Sequence, residues 1–110
     1  MTQTVQLPPP SPALTVHQAA ATLRRVAECA QTDLATSDYW SGYDKATAWR
    51  DGFANGFGGP CSDLVALFPP GFALEFADWL DAVASAAARH GAPLPTLALT
   101  AAQKINGGAR

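Results

Sequence analysis

The sequence predicts an all-α protein, a compact bundle of three long helices at about residues 15–36, 39–57 and 72–90, with one or two short helices. In each long segment apolar residues recur at spacings of three and four, the period of an amphipathic helix. Alanine is abundant, isoleucine occurs once, and apolar and polar residues nowhere alternate over a sustained stretch, so strands are not expected. Glycine and proline fall between the helical segments, where they end helices.

The length and composition predict one domain. A chain of 110 residues has the usual size of a single domain. With 48% hydrophobic and 15% charged residues, it has enough apolar material for a core, and disorder of the whole chain is not expected. We expect a flexible Pro-rich tail over residues 1–13, one helical domain over 14–106 and a flexible C-terminus over 107–110.

The first helix is predicted to begin at Thr15, which can form a capping box with Gln18. An apolar stripe then runs along about five turns; it consists of Val16, Ala19, Leu23, Val26, Ala30 and Leu34. The preceding run Pro8-Pro9-Pro10-Ser11-Pro12 has few amide donors and favours an extended, polyproline-like path. We interpret this run as a loose tail, with a docking peptide for an aromatic groove as the alternative.

The second helix, predicted over residues 39–57, is unusually aromatic. Its apolar stripe consists of Tyr39, Tyr43, Ala46, Trp49, Phe53 and Phe57. Beside the stripe lie three small residues four positions apart, Ala48, Gly52 and Gly56. Glycine inside a helix costs about 1 kcal/mol relative to alanine. These residues therefore predict either the close approach of another backbone or an early end to the helix.

The rest of the chain predicts one short helix, one long helix and a final short helix. The first of these covers residues 63–68 and is capped by Ser62, and the long helix covers residues 72–90. The buried stripe of the long helix is predicted to be Phe72, Phe76, Trp79, Leu80, Val83 and Ala87. Gly91 stands where a left-handed C-cap is expected. The final helix is expected over residues 96–106.

No pattern of residues indicates catalysis or cofactor binding. An enzyme or metal site would have to use His17, Cys29, Cys61 and His90, and their spacing does not bring them together. The glycine-rich segment 52–60 lacks the Gly-Lys-Ser/Thr ending of an ATP-binding loop. We expect no enzymatic activity, no metal and no cofactor, and we expect free thiols at Cys29 and Cys61, with a single disulfide between them as the alternative. A small enzyme or metal-binding protein is the third hypothesis for function.

The middle of the chain is acidic. Residues 38–81 carry seven acidic and two basic residues, a net charge of −5, whereas the rest of the chain carries +3. The total of −2 is too small to predict a nucleic-acid or membrane partner. No apolar run approaches the ~20 residues of a membrane span, and no secretory signal is recognised at the N-terminus. We therefore expect a cytoplasmic protein that does not bind nucleic acid directly.

The predicted protein-binding residues lie in this acidic segment, which also contains all ten aromatic residues. Trp40 is offset by one position from the stripe of the second helix, and aromatic residues often anchor interfaces. Trp40, Tyr43 and Asp44 are therefore the first candidates for a contact surface. Packing of Trp40 beneath the Pro-rich tail is the alternative.

Three carboxylates follow one another at spacings of three on the long C-terminal helix. Glu75, Asp78 and Asp81 are interpreted as a solvated acidic face opposite the apolar stripe. Their functional interpretation is a surface that meets a basic patch on a partner.

We expect a small non-enzymatic protein that binds another protein. Low lysine with high alanine and proline indicates GC-rich bacterial or phage coding. Small proteins of that origin are often inhibitors of host systems, so an inhibitor from a phage or mobile element, similar in role to anti-CRISPR proteins, is the expected class. That step rests on composition and not on any residue. A structural homodimer packed through Ala48, Gly52 and Gly56 is the second hypothesis.

Overall fold

The computed structural model describes residues 11–108 and is helical along most of this length. Its elements are α1 (Pro12–Thr36), a short 3₁₀ helix (Asp38–Trp40), α2 (Ala48–Gly56), α3 (Gly59–Ala66), α4 (Pro70–His90) and α5 (Thr96–Gly108). The described part of the chain contains no strand, and the predicted all-α fold is confirmed. None of its helices is both long and apolar enough to cross a membrane.

The core lies where α4 and α5 pack along α1, which makes α1 the central helix. Seven fully buried side chains form it: Val16, Ala19 and Ala20 from α1, Leu80 and Ala84 from α4, and Ala98 and Ala102 from α5. Five of the seven are alanine. Since the side chains at a contact set the distance between helix axes, this core holds the three helices close together.

The buried sides of α1 and α4 agree with the predicted stripes only in part: Val16, Ala19 and Leu80 are fully buried as predicted, whereas several larger stripe residues are exposed. On α4 the buried residues are Pro70, Ala73, Ala77, Leu80 and Ala84. Phe72 and Trp79 are 49% and 37% exposed, and Val26 on α1 is 51% exposed. Alanine fits at the close contact between the helices, and the larger side chains lie at its edges.

The helix α1 begins three residues before the predicted start. Ser11 is its N-cap, and the Ser11 hydroxyl oxygen accepts a hydrogen bond from the N–H of Leu14 at 3.1 Å. Thr15 lies inside the helix and donates its hydroxyl to the Ser11 carbonyl. The predicted capping box of Thr15 and Gln18 is therefore wrong.

Both predicted terminal segments are partly helical. Of the tail expected over residues 1–13, residues 1–10 lie outside the described part of the chain, and residues 12–13 belong to α1. At the other end, α5 continues to Gly108, beyond the predicted end at residue 106.

The long helix predicted over residues 39–57 is divided into the 3₁₀ helix, a series of turns over residues 41–47, and α2. The small residues of α2 explain the division. A Cβ atom on Gly52 would overlap the ring of Trp40, and one on Gly56 would overlap the hydroxyl of Tyr39. The close approach predicted from these glycines is present, but two aromatic side chains make it instead of another backbone.

The helix α3 begins earlier than predicted. Gly58 precedes it with φ of 76°, a conformation that glycine adopts without strain. Ser62 is not the N-cap; it lies within the helix and is 3% exposed. At the end of α4, Gly91 has φ of 64°, which confirms the predicted left-handed C-cap.

The α2–α3 hairpin packs mainly on itself and on the 3₁₀ helix. One link to α1 is the indole N–H of Trp40, which donates to Asp33 Oδ2 at 2.9 Å. The ring of Trp40 in turn stacks on Trp49 of α2, with centroids 6.0 Å apart. Ser62 is the only buried residue of α3. The apolar side chains of this hairpin are therefore left largely outside the core.

Replacing Gly52 by alanine should destabilise the fold, because the new methyl group must displace the Trp40 ring. We expect Gly52→Ala to lower the free energy of unfolding by about 1–3 kcal/mol, measured by urea denaturation. Gly71→Ala is the matched control, since a Cβ atom on this α4 residue meets nothing within 4 Å. The control should be neutral or slightly stabilising, and equal effects of both substitutions would contradict the packing of Trp40 on Gly52.

Candidate functional site

A charged cluster joins α1 to α4. Asp81 Oδ1 lies 2.9 Å from Nδ1 of His17, and Asp81 Oδ2 accepts a hydrogen bond from Arg24 Nη2 at 2.7 Å. Arg24 also donates to Asp78 Oδ1 at 3.0 Å. The predicted solvated acidic face therefore does not describe Asp81, which is partly buried in the ion pairs, whereas Asp78 is 75% exposed although it pairs with Arg24. In the described part of the chain, Glu75 forms no ion pair.

The cluster shifts the pKa values of two of its members. Partial burial of Asp81 acts to raise its pKa, but hydrogen bonds from His17 and Arg24 outweigh burial and hold the pKa below the ordinary value. The pKa of Arg24 is raised because both carboxylates accept its hydrogen bonds. Arg24 thus compensates the negative charge of these carboxylates, and Glu75 is left as the acidic residue of α4 with the most charge to offer a basic partner.

Trp40 is 9% exposed and lies at the centre of a cluster of aromatic rings. We call it the aromatic cluster; it consists of Tyr39, Trp40, Tyr43, Trp49 and Phe53. Besides its stack on Trp49, the ring of Trp40 meets Tyr39 edge to face at a centroid distance of 5.0 Å. The predicted contact surface assumed an exposed Trp40, and the structure instead buries this side chain between the 3₁₀ helix and α2. The predicted alternative of packing beneath the tail falls on residues outside the described range.

The two other candidates from this segment are involved in the turns before α2. Tyr43 is half-buried, and its hydroxyl oxygen accepts a hydrogen bond from Asn55 Nδ2 at 2.8 Å. Asp44 is exposed, and its Oδ1 accepts from the N–H of Ala46 at 2.9 Å. The six predicted binding residues therefore do not form one surface, since three shape these turns and three lie on α4.

An exposed apolar surface extends from the end of α3 along one edge of α4. We call it the apolar ridge; it consists of Leu64, Leu67, Phe68, Phe72, Phe76 and Trp79. Leu64 and Leu67 are 71% and 74% exposed. The aromatic members form a row, with ring centroids 5.0 Å apart between Phe68 and Phe72 and 5.6 Å apart between Phe76 and Trp79.

Charge next to the apolar ridge is acidic. Glu75 lies three residues after Phe72 and four before Trp79, so the helix places it on the same side as these rings. Asp63, also exposed, directly precedes Leu64. Of the predicted binding residues, Glu75 is the one that belongs to this surface.

Sequence reasoning did not identify the leucines of the ridge, although the sequence contains a signal for them. Residues 64–68 read Leu-Val-Ala-Leu-Phe and are followed directly by Pro69 and Pro70. A helix that ends so soon has too few turns to bury apolar residues on every side, and some of them must face solvent.

Two concave surfaces flank the aromatic cluster. The first, between α2 and α3, has a volume of about 520 Å³, and its lining, which includes Phe53, Phe57 and Cys61, carries no charged residue. The second, of about 590 Å³, lies between the C-terminal part of α1, the turns before α2 and the start of α4. We call the second one the α1–α4 groove.

The hypothesis of a site shared by both histidines and both cysteines does not fit the geometry. His17 and Cys29 are twelve residues apart on the continuous helix α1, which separates them by about 18 Å. Cys29 and Cys61 are both exposed and free. Within residues 11–108, no group of three potential ligands is close enough to hold a metal ion.

Comparison of the chain with protein-family models, curated proteins and solved structures finds no match. We therefore infer the function from the surfaces of the molecule itself.

The charged cluster predicts a pH-dependent stability. At pH 7, Asp81→Asn should lower the free energy of unfolding by about 1 kcal/mol, a figure that allows for partial exposure of the pair. Because the pKa of Asp81 is lowered in the folded state, the unfolded state takes up the proton first as pH falls. The difference in free energy of unfolding between wild type and Asp81→Asn should therefore shrink below about pH 4. Urea denaturation of both proteins at a series of pH values from 5 to 2 measures this difference.

Asp78→Asn is the control, because the Asp78 side chain is 75% exposed. Its effect should stay within about 0.5 kcal/mol at every pH. A difference for Asp81→Asn that does not change with pH would contradict the role assigned to its carboxylate.

Proposed function

We propose that this protein is a non-enzymatic binding protein that attaches to a partner protein through the apolar ridge. The supporting observation is the exposure of Leu64 and Leu67 beside a row of partly exposed aromatic rings. Soluble monomers seldom leave large contiguous apolar patches in water, and such patches commonly mark interaction sites. Aromatic side chains are also enriched among the residues that contribute most to binding.

The size of the ridge is consistent with a specific interface. Fully exposed aromatic side chains present about 150–250 Å² each. With the exposed fractions observed here, the six residues leave on the order of 600 Å² of apolar area, compared with about 800 Å² buried per partner in a standard interface. Polar residues at the rim of the ridge, such as Asp63 and Glu75, would supply the rest of the buried area.

The chemistry of the partner follows from the charge around the ridge. Between Arg50 and Arg89 the chain has five acidic residues and neither lysine nor arginine. A partner with an apolar centre and a basic rim complements this surface. Contact with the same ridge on a second copy of the chain is disfavoured, because it would bring acidic residues against acidic residues.

For the specific role, we propose that the protein inhibits a bacterial host or defence system. Like anti-CRISPR proteins, it would be encoded by a phage or mobile element. The support for this role is the composition, with low lysine and high alanine and proline. A small domain with one exposed apolar ridge is suited to this role, because covering a partner's working surface requires no catalytic group.

Affinity purification from the native host, followed by mass spectrometry, tests the proposal. Wild type should retain one partner that Leu64→Gln/Leu67→Gln retains at least about tenfold less, because the double substitution removes apolar area from the contact. Leu97→Gln is the matched control, since Leu97 is 70% exposed on α5 and lies outside the ridge.

Both variants should melt within a few degrees of wild type, since exposed substitutions change stability little. Equal recovery of the partner by the double variant, or recovery of no protein except the chain itself, would contradict the proposal.

A further inference from the structure

The α1–α4 groove has a chemistry that the rest of the acidic segment lacks. The aromatic rings of Tyr43 and Trp49 and the pyrrolidine rings of Pro69 and Pro70 line it. Although residues 38–81 carry seven carboxylates, none of these carboxylates lines the groove.

The polar groups of the groove are mainly hydrogen-bond donors. Lys45 and Gln31 offer N–H groups. The Tyr43 hydroxyl is already engaged with Asn55 and with the Tyr39 hydroxyl, so Tyr43 contributes its ring to the groove. The groove therefore fits a ligand that presents apolar rings to its aromatic side chains and carbonyl acceptors to Lys45 and Gln31, and that has few N–H donors of its own.

The chain itself contains such a ligand immediately before α1. Leu7-Pro8-Pro9-Pro10 has three residues without an N–H group. Segments of this kind favour the polyproline II conformation and dock in aromatic grooves. Arg24 is the first residue of the sequence whose side chain carries a full charge, so the segment matches a groove without carboxylates.

The geometry of α1 prevents the segment from reaching the groove of its own molecule. Gln31 and Ala35, which line the groove, lie 20 and 24 residues after Ser11, so the continuous helix places them about 30–36 Å away. Pro8 is three residues from Ser11 and extends at most about 11 Å from it.

We propose that the α1–α4 groove binds the Leu7–Pro10 segment of a second copy of this chain. Each molecule has one segment and one groove at opposite ends of α1, so two copies side by side and antiparallel can exchange segments. A reciprocal exchange of this kind closes as a dimer with twofold symmetry. The second contact forms at high effective concentration once the first exists.

This inference is independent of the proposed function. No side chain of the apolar ridge lines the groove, so a segment bound in the groove occupies a different surface from the ridge. Of the small-residue face of α2 expected to carry a homodimer, Gly52 and Gly56 are covered by Trp40 and Tyr39, and Ala48 lines the groove.

Sedimentation equilibrium of the full-length chain tests the exchange. Wild type should dimerise below about 1 mM, and the triple variant Pro8→Ala/Pro9→Ala/Pro10→Ala should dimerise at least tenfold more weakly. Ala35→Arg should have the same effect, because Ala35 is an exposed α1 residue that lines the groove. Ala21→Arg, at an exposed α1 position outside the groove, should dimerise like wild type.

A synthetic peptide of residues 1–11 provides a second measurement. Titrated into the triple proline variant, it should change the fluorescence of Trp40 and Trp49 in a saturable way, and adding Ala35→Arg to that variant should weaken binding at least tenfold. A wild type that stays monomeric to about 1 mM overturns the proposal. So does a dimer unaffected by the proline substitutions, which would form through another face, or a peptide that fails to bind.

Discussion

The close contact of α1 with α4 and α5 is the constraint on which the rest of the structure depends. Five of the seven core side chains are alanine, so the helices approach too closely for larger residues to lie between them. Leu80 and Val16 are the largest fully buried side chains. Phe72 and Trp79, which a wider interface would bury, are left at the edge of α4. The exposure of the α4 part of the apolar ridge is therefore a direct consequence of the alanine-rich contact.

The charged cluster fixes the register of α1 against α4. Alanine surfaces alone would allow these helices to slide past one another. Asp81 is held by both His17 and Arg24 of α1, which fixes the relative position of α1 and α4 along their axes. The same pairing compensates two of the three carboxylates expected to face a partner. The acidic character of the proposed interaction surface consequently comes from Glu75 and Asp63, beside the ridge.

The sequence predicts the features of this fold that are set locally, and the others depend on distant neighbours. Helical periodicity predicts α1 and α4, and Gly91 predicts the end of α4, because both signals act within a few residues. Which stripe of α4 is buried depends on how closely α1 approaches. The break within residues 39–57 depends on Trp40 folding back onto Gly52. Among the site residues, Glu75 could be predicted from its exposed helical position, whereas the exposure of Leu64 and Leu67 reflects how little of α3 the neighbouring helices cover.

The limited size of the core links stability to binding. A domain of this length buries a smaller share of its surface than a larger one, and here most of the core contacts are made by side chains that bury little area. The α2–α3 hairpin has few links to the helices around that core, among them the Trp40 indole on Asp33, so local opening of the hairpin should cost less free energy than global unfolding. A partner that covers the apolar ridge would bury Leu64 and Leu67 and add contacts where the isolated chain has fewest. Binding would therefore stabilise the hairpin by an amount that grows with the logarithm of partner concentration once that concentration exceeds Kd.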